Sequence, residues 1–415
     1  MPSAEPAAPA CRFCGAPLDF TVVDLGMSPL CESYLTPEQA EEMEPFYPLH
    51  VRACRSCLLV QLPAYVPPDD IFREYAYFSS YSDSWLEHAR AYTDAVAARF
   101  RLGEDSFVVE LASNDGYLLR NFVARGIRCL GIEPALNVAA AARAQGVETL
   151  TEFFGRETAA AVLASHGPAD LIVANNVLAH VPDVNDFVGG IGALIGERGV
   201  ATFEFPHLAR LVEGVQYDTI YHEHFSYLSL LTSSAILREH GLEVFDVEEL
   251  PTHGGSLRLF AAPLGTRPVE PAVAELAARE RRQGYAGLEV YDGFRSRVEE
   301  SKGALLEYLI ASRRAGKRVV AYGAPGKGNT LLNYCGIRTD LVEYAVDRNP
   351  YKHGRLTPGT HIPIHPPERL AETRPDVIVI LPWNLRDEIA RQLAYTREWG
   401  AELVVPIPTV ERVEG

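Results

Sequence analysis

The stretch FVVELASNDGYLL, residues 107–119, joins a short apolar run to a turn and to the beginning of an apolar helix. Glu110 lies near the end of the run, and Gly116 is the one glycine of the turn. A strand, a turn and a helix in this order form the first unit of a nucleotide-binding parallel sheet. The next apolar run ends in Glu133, about 20 residues downstream, where an acidic residue binds ribose in such folds. The stretch therefore predicts an α/β domain with a nucleoside site at the strand ends.

Apolar runs on both sides of this unit extend the alternation of strands and helices. The predicted strands are residues 107–113, 127–134, 147–152, 171–176 and 200–206 and, nearer the C-terminus, residues 317–325, 342–350, 376–383 and 402–408. Pro268 and Pro271 mark the start of a segment, 271–316, with apolar residues at helical spacing. We predict that this helical connector leads into a second Rossmann-like sheet. The predicted domains cover residues 1–68, 69–262 and 263–415.

The composition limits the classes of partner. At 415 residues and 47% hydrophobic, the chain can bury two or three cores. The formal net charge of −17 disfavours nucleic acid as a partner, because phosphate binding requires a basic surface. No apolar run approaches the ~18–20 residues that span a bilayer, so we expect no membrane contact. Residues 1–10 lack the basic and apolar regions of a secretory signal, and we expect a cytoplasmic monomer.

Two pairs of cysteines near the N-terminus have the spacing of metal ligands. Cys11 and Cys14 belong to CRFCGAP, and Cys54 and Cys57 belong to CRSC. Each C-x-x-C turn holds two thiolates at the angle that Zn²⁺ prefers, and two such turns complete a closed four-sulfur site. Such a site stabilises a fold and leaves no open position for catalysis. We predict structural zinc on these four cysteines and do not expect Cys31 to be a ligand.

The turn after the first central strand favours a nucleoside without phosphates. It lacks the glycines of G-x-G-x-x-G and is therefore a weak cradle for pyrophosphate. S-adenosylmethionine is such a ligand, and its cationic sulfonium and amino groups suit nearby carboxylates. Either of the two phenylalanines in TEFFG could stack on adenine. The residues expected to bind this cofactor are Glu110, Ala112, Ser113, Asn114, Gly116, Glu133, Phe153, Phe154, Asn175 and Asn176.

The stretch YHEHFSYLS, residues 221–229, permits three interpretations. If it is extended, His222 and His224 share one face and could bind a metal with a third ligand. The histidines could instead be hydrogen-bonded core residues among aromatic side chains. The third interpretation is an acid/base centre, in which an imidazole that titrates near neutral pH is oriented by Tyr221 and Glu223.

Taken together, ELASNDGYLL, GIEP, ANNVLAHVPD and YHEHFSYLS resemble the S-adenosylmethionine-dependent sugar C-methyltransferases, which act on nucleotide-linked 4-keto deoxysugars. That family has a small zinc-binding N-terminal domain, a central Rossmann-like class I methyltransferase domain and a C-terminal Rossmann-like domain. The resemblance covers nearly the whole chain. It implies that His224 is the catalytic base and that Tyr221, Glu223 and His180 lie close to the sugar. Tyr75 is expected to cap this site, with Tyr77 as its competitor.

The glycine-rich turn YGAPGKGN, residues 322–329, predicts an anion site at a helix N-terminus in the C-terminal domain. NAD is one candidate ligand for such a turn. The resemblance favours the thymidine diphosphate of a nucleotide sugar, with Trp383 offering a flat face to the base. The residues expected to bind the substrate are Tyr77, His222, His253, Arg258, Gly323, Lys327, Asn329, Asp347, Asn349, Lys352, Arg355 and Trp383.

These expectations define a reaction. Removal of the C3 proton of a dTDP-linked 4-keto deoxysugar, which could carry a 3-amino group, gives an enolate that accepts the methyl group. Such an enzyme would serve the biosynthesis of a branched deoxysugar, as in antibiotics. The alternatives are an NAD-dependent nucleotide-sugar oxidoreductase and a non-catalytic zinc-containing binding protein.

Overall fold

A computed structural model of the chain describes residues 9–67, 71, 79–81 and 83–413. The strands are β1 (Phe20–Ser28), β2 (Tyr47–Ala53), β3 (Val60–Gln61), β4 (Phe107–Leu111), β5 (Arg128–Ile132), β6 (Thr149–Leu150), β7 (Ala169–Asn175), β8 (Ile195–Pro206), β9 (Ser226–Tyr227), β10 (Leu242–Leu250), β11 (Ser256–Pro263), β12 (Val319–Tyr322), β13 (Ala345–Val346), β14 (Ile364–His365), β15 (Val377–Ile380), β16 (Glu402–Val405) and β17 (Glu411–Arg412). The α-helices are α1 (Asp83–Phe100), α2 (Leu119–Val123), α3 (Leu136–Ala144), α4 (Arg156–His166), α5 (Val184–Leu194), α6 (Leu208–Glu213), α7 (Leu230–Glu239), α8 (Pro271–Arg282), α9 (Phe294–Arg314), α10 (Gly326–Cys335), α11 (Arg369–Thr373) and α12 (Arg386–Gln392). Among the helices of these residues, none is long and apolar enough to cross a bilayer.

The central sheet has seven strands in the order β10-β11-β8-β7-β4-β5-β6. Strands β4 to β8 are parallel, and β10 and β11 form an antiparallel hairpin beside β8. Every residue of β4 is buried, as expected for a parallel strand covered by helices on both faces. Strands β5 and β6 are added on one side of β4, and β7 and β8 on the other. Ligands bind at the carboxyl ends of the strands at the point where the order changes direction.

The N-terminal sheet has the order β1-β2-β3-β9 and is antiparallel. Its last strand, β9, comes from the end of the YHEHFSY stretch, and Val60 pairs with Tyr227. Leu62 N also donates to Phe225 O at 3.0 Å. The stretch with the candidate base is therefore fixed to the N-terminal sheet, although more than 150 residues of chain separate the two segments.

The C-terminal sheet has the order β14-β13-β12-β15-β16-β17, and all of its strands except β17 are parallel. The connector predicted as helical consists of two helices, α8 and α9. Gly284 and Gly293 interrupt it with φ of 96° and 77°, a backbone conformation that favours glycine. The described sheets and the four-cysteine cluster confirm the predicted fold class.

Candidate active site

A cavity of about 650 Å³ lies at the carboxyl ends of the central parallel strands. Segments that follow β12 and β15 of the C-terminal sheet close its other side, and Cys31 and Glu32 reach it from the N-terminal region. Residues from segments next to all three sheets therefore line one cavity. The predicted site residues that line it are Ala112, Asn114, Glu133, Phe153, Phe154, Asn175, Asn176, His180, Tyr221, Glu223, His224, His253, Lys327 and Lys352.

The end of the cavity beside β4 and β5 fits a nucleoside. The two carboxylate oxygens of Glu133 accept hydrogen bonds from Asn114 N and Ala135 N, both at 2.9 Å. These bonds hold the carboxylate at the end of β5, where its remaining lone pairs can accept the two hydroxyls of a ribose. Phe153 lines the same end with 42% of its surface exposed, so its ring is available for stacking on adenine. Phe154 instead packs edge-on against Phe187, with ring centroids 5.5 Å apart.

Four residues that line the cavity have an uncommon backbone conformation. Ala112, Asn114, Asn176 and His253 have φ of 53°, 49°, 53° and 55°. A non-glycine residue in this region costs on the order of 1–3 kcal/mol and persists only where its surroundings hold it. Such residues concentrate at ligand-binding sites, and their position here agrees with a preformed site.

His224 faces the cavity with one nitrogen available. Its Nδ1 lies 2.7 Å from Thr219 O, a carbonyl that can only accept, so Nδ1 carries the proton and Nε2 has the free lone pair. The rings of Tyr221 and His180 lie 3.9 and 4.8 Å from the His224 ring, centroid to centroid. Burial lowers the pKa of His224 well below its ordinary value of 6.5, and the neighbouring His180 adds to this effect. His224 is therefore a neutral, oriented base at neutral pH.

Glu223 is adjacent to this base in the chain and contacts Cys31, the cysteine not expected to bind zinc. Cys31 Sγ donates to Glu223 Oε2 at 3.3 Å, and both residues are buried and line the cavity. Burial raises the pKa of Glu223 to about 7, and the negative charge of Glu32 adds to the rise. His180 has a pKa that burial lowers to about 4, and it forms a hydrogen bond with the backbone of Glu223. The site thus contains two groups that could accept a proton, His224 and Glu223.

The four predicted zinc ligands form a cluster. The sulfurs of Cys11, Cys14, Cys54 and Cys57 lie within 4.8 Å of one another, and the Cys11–Cys57 and Cys14–Cys54 pairs are each 3.5 Å apart. Tetrahedral zinc with Zn–S bonds of about 2.3 Å requires sulfurs about 3.8 Å apart. Gln61 Nε2 donates to Cys11 Sγ at 3.1 Å, the kind of bond that orients a metal-bound thiolate. The cluster fits zinc.

Three models of known domains match the chain in order. They describe a zinc binding domain over residues 11–72, a methyltransferase domain over residues 84–247 and a C-methyltransferase C-terminal domain over residues 251–408. The C-methyltransferase NovU of Streptomyces niveus is 38% identical over 399 residues, which are 96% of this chain and 95% of that protein. The chain belongs to the C-methyltransferase family. It is an S-adenosylmethionine-dependent enzyme with a zinc-binding N-terminal region, as the sequence predicted.

Solved methyltransferases resemble parts of this C-methyltransferase. An S-adenosylmethionine-dependent methyltransferase from Clostridium acetobutylicum is 12% identical, with a TM-score of 0.35, and the match covers 43% of this chain and 92% of that one. Magnesium protoporphyrin IX methyltransferase from Synechocystis, with bound S-adenosylmethionine, is 16% identical with a TM-score of 0.35. That match covers 49% of this chain and 100% of the other.

Loss of the zinc should destabilise the N-terminal region of the C-methyltransferase. We expect one zinc per chain in the wild type, and Cys54→Ser to reduce the zinc content to near zero because Cys54 is a fully buried member of the cluster. Zinc content by plasma mass spectrometry and the thermal unfolding midpoint would measure both effects. Cys129→Ser, at a buried cysteine outside the cluster, should keep one zinc. A Cys54→Ser protein that retains a full zinc would contradict the assignment.

Glu133 should dominate the affinity for S-adenosylmethionine. Glu133→Gln replaces one acceptor oxygen with a donor that faces a backbone N–H, so it should weaken binding roughly 10- to 100-fold, the range for a hydrogen bond to a charged group. Titration calorimetry with S-adenosylmethionine would measure the change. Glu148→Gln changes an exposed carboxylate in the loop before β6, and this matched control should bind normally. Equal affinities of the two variants would contradict the role of Glu133.

Residues Tyr221–His224 are not extended, so the condition for the metal-binding interpretation is not met. His224 N donates to Tyr221 O at 2.9 Å, so the four residues form a turn and the two histidines do not share a face. His222 instead packs edge-on against Tyr47 of β2, with ring centroids 5.7 Å apart. We therefore correct His222 from a substrate contact to a residue that joins this turn to the N-terminal sheet.

Three predicted cofactor residues support the β4 turn from behind and do not line the cavity. Glu110 is buried, and its pKa is raised by burial and by the nearby Glu133 and Asp115. Ser113 lies under the turn, where a side chain at Gly131 would collide with its hydroxyl. Gly116 has φ of 78°, and a Cβ atom there would approach Val147 Cγ2 to 2.9 Å. Their role as direct contacts is corrected to support of the turn.

The glycine-rich turn before α10 is partly covered by the N-terminal region, which sequence reasoning did not anticipate. A Cβ atom at Gly326 would come within 2.7 Å of Cys31 Sγ, and Asn329 Nδ2 donates to Cys31 O at 2.7 Å. A dinucleotide pyrophosphate would have to displace Cys31 from this position. The NAD-dependent alternative is thus opposed by the packing as well as by the family. Asn329 therefore binds the N-terminal region, and Gly323, with φ of 80°, lies where a Cβ atom would approach Pro382 to 2.7 Å.

Other residues of the C-terminal sheet expected to bind the nucleotide bind the protein itself. The carboxylate of Asp347 accepts from Ala324 N at 2.7 Å and from Asn349 N at 2.8 Å. Asn349 Oδ1 accepts from Tyr351 N at 3.0 Å, and Arg355 Nε donates to Tyr351 O at 3.0 Å. Asp347, Asn349 and Arg355 therefore shape the loop after β13 and do not line the cavity.

Two further predicted contacts lie in internal networks. Arg258 donates to Glu204 Oε2 at 2.8 Å and to Glu248 Oε2 at 3.0 Å and is buried between β8 and β10. Trp383 Nε1 donates to Asp218 Oδ2 at 2.6 Å, and the ring edge lies against Gly254. Arg258 is therefore enclosed in an internal network, whereas the Trp383 ring lies 5.0 Å from Lys327 Nζ, and its contact with the base of the substrate stays a prediction.

Some functional residues fall outside the described structure or outside the sequence prediction. Tyr75 and Tyr77 lie outside the described residues. Cys31 and Glu32 line the cavity. They belong to no recognisable motif, so nothing in the sequence indicates that they lie at the site. Trp85 of α1 also lines it, and its ring stacks on His88 with centroids 4.9 Å apart. A single tryptophan in an amphipathic helix gives no sequence signal that distinguishes a ligand contact from a core residue.

Proposed function

We propose that this C-methyltransferase transfers the methyl group of S-adenosylmethionine to C3 of a thymidine-diphosphate-linked 4-keto deoxysugar. The observation that carries the proposal is His224, whose free Nε2 faces the cavity that also contains Glu133 and Phe153. A base beside a methyl donor is what methylation of carbon needs, because the carbon must first lose a proton. A ketone next to that carbon makes the proton acidic enough for an imidazole to remove.

Each residue around the base has its own role in the proposed reaction. His224 Nε2 takes the C3 proton while the Nδ1–H bond to Thr219 O stabilises the imidazolium that forms. The rings of Tyr221 and His180 pack against the imidazole and restrict its rotation. When bound, S-adenosylmethionine supplies a methyl group on a positively charged sulfur, which the enolate carbon attacks. The carboxyl group of Glu223 is available to a sugar hydroxyl or amino group.

The charge of the cavity wall favours an anionic substrate. Lys327 and Lys352 line the C-terminal side of the cavity in a protein whose formal net charge is −17. Two ammonium groups beside a chamber of about 650 Å³ suit a ligand that carries negative charge on its diphosphate and develops it on the ketone of its sugar. The product would be a branched deoxysugar nucleotide, the type of intermediate used in antibiotic biosynthesis.

A direct assay tests the proposal. The protein would be incubated with S-adenosylmethionine and with dTDP-linked 4-keto-2,6-dideoxyhexoses that carry a 3-hydroxyl or a 3-amino group. We expect a sugar nucleotide that is heavier by one methylene, with the new methyl resonance on C3 in the NMR spectrum. Methylation on oxygen or nitrogen, or no product with either sugar, would overturn the proposed substrate class.

A further inference from the structure

Lys327 lies at the start of α10, in the turn that the sequence assigns to phosphate binding. It lines the same cavity as His224 and His253. Its charge contributes to the lowered pKa of both histidines. The turn therefore brings a cation of the C-terminal sheet to the cavity that contains the proposed base.

The ammonium group of Lys327 contacts the two consecutive residues Trp383 and Asn384. Its Nζ donates to Asn384 Oδ1 at 2.9 Å and lies 5.0 Å from the centre of the Trp383 ring. Trp383 in turn donates to the carboxylate of Asp218, which is fully buried. Among the described residues, Asn384 is the one hydrogen-bond acceptor of Nζ, and an ammonium has three donors. Two N–H groups remain for a ligand in the cavity.

The surroundings of the Lys327 ammonium strengthen its electrostatic interaction with a negatively charged oxygen. Burial lowers the pKa of Lys327, and the negative charge of Asp218 opposes that effect. In a site that excludes water, a fixed donor stabilises a developing charge far more than it would in solution. A phosphate already carries its charge, whereas a ketone oxygen gains charge only when the neighbouring carbon loses its proton.

We propose that Lys327 donates a hydrogen bond to the ketone oxygen of the substrate and stabilises the enolate that forms when His224 removes the adjacent proton. The inference rests on the proposed function. The C–H bonding pair becomes the carbon–carbon double bond of the enolate, the carbonyl π pair moves to oxygen beside Lys327, and the proton moves to His224 Nε2. The enolate carbon then attacks the methyl group, the carbon–sulfur pair stays on sulfur, and the ketone re-forms. His224 later releases the proton to solvent.

Lys352, the other lysine of the cavity, is a poorer candidate. Its Nζ donates to Ala324 O at 2.8 Å and lies 3.9 Å from Glu32 and 4.0 Å from Asp347. Its charge is therefore partly balanced by carboxylates, and it is turned toward the loop after β12. Lys327 hydrogen-bonds to a neutral amide, and Asp218, the carboxylate whose charge acts on it, accepts a hydrogen bond from Trp383.

Exchange of the C3 proton with deuterated water, measured by NMR with S-adenosylhomocysteine bound, isolates enolate formation from methyl transfer. The probes are the two dTDP-linked 4-keto-2,6-dideoxyhexoses above. We expect Lys327→Met to slow exchange and kcat roughly 100- to 1,000-fold, the cost of losing one oxyanion donor, with the affinity for S-adenosylmethionine unchanged. Lys327→Arg, which keeps the charge, should retain more exchange than Lys327→Met. Lys302→Met is the matched control, since Lys302 donates to Tyr334 O over an aromatic ring away from the cavity.

The outcomes separate this inference from the proposed function. If the wild type exchanges neither sugar, the proposed substrate is wrong, and the inference falls with it. If the wild type exchanges and Lys327→Met does so at the same maximal rate with only a higher KM, Lys327 is a phosphate contact and the inference is overturned. Should Lys327→Met fail to bind S-adenosylmethionine, Lys327→Gln, which keeps an N–H donor without the charge, replaces it under the same criteria.

Discussion

Replacement of His224 by asparagine should abolish methyl transfer and exchange of the C3 proton while S-adenosylmethionine still binds. The Asn side chain can keep an N–H donor near the position of Nδ1, so the hydrogen bond to Thr219 O can persist. It has no atom at the position of Nε2, so the base is lost. We expect kcat to fall by roughly 10²- to 10⁴-fold, the usual contribution of a general base.

The matched control for this variant lies two residues away. His222→Asn changes the same residue type in the same turn, but His222 packs against Tyr47 and does not line the cavity. It should keep most of the exchange activity, even if its thermal midpoint falls. Exchange would be followed by NMR and S-adenosylmethionine binding by calorimetry on both variants. Exchange by His224→Asn at the wild-type rate would show that another group is the base.

Local sequence patterns predicted the parts of the molecule that depend on short-range spacing. Two C-x-x-C pairs were sufficient for the zinc cluster, because each turn presets the position of its sulfurs. The pattern of strand, turn and strand from 107 to 134 was sufficient to predict that Glu133 lies beside the β4 turn. The carboxyl ends of neighbouring parallel strands share one edge of a sheet. In both cases the chain itself brings the functional atoms together.

Contacts between distant segments could not be predicted. Cys31 and Glu223 are 192 residues apart, and they meet only because β9 joins the N-terminal sheet. The glycine turn before α10 has the composition of a phosphate site, yet Cys31 packs on Gly326 and changes what the turn can bind. The sequence leaves the orientation of His222 open because the alternation of side chains applies only to an extended chain, and the turn at Tyr221–His224 decides it.

The pH dependence of kcat/KM should decide between the two proton acceptors of the site. This parameter reports ionisations of the free enzyme, the state that the structure describes. Glu223 ionises as the pH rises through about 7, whereas the lowered pKa of His224 keeps that ring neutral well below pH 6.5. If His224 is the base, kcat/KM should stay nearly level from pH 8 to 6.5 and fall only at lower pH. If ionised Glu223 were the base, kcat/KM would fall tenfold per pH unit below about 7.

Glu223→Gln sharpens this test because glutamine cannot ionise. We expect kcat/KM to fall roughly 2- to 10-fold through loss of a hydrogen bond that both the neutral and the ionised carboxyl group can make to the substrate, with the same level profile above pH 6.5. Glu32→Gln removes the neighbouring charge that raises the pKa of Glu223, so it should leave the profile in place if Glu223 does not control the rate. A wild-type inflection near pH 7 that moves lower in Glu32→Gln and disappears in Glu223→Gln would assign the proton transfer to Glu223. His224 would then be the residue that orients the substrate, and the Cys31 thiol, which donates to Glu223 Oε2 at 3.3 Å, would help to set the strength of the base.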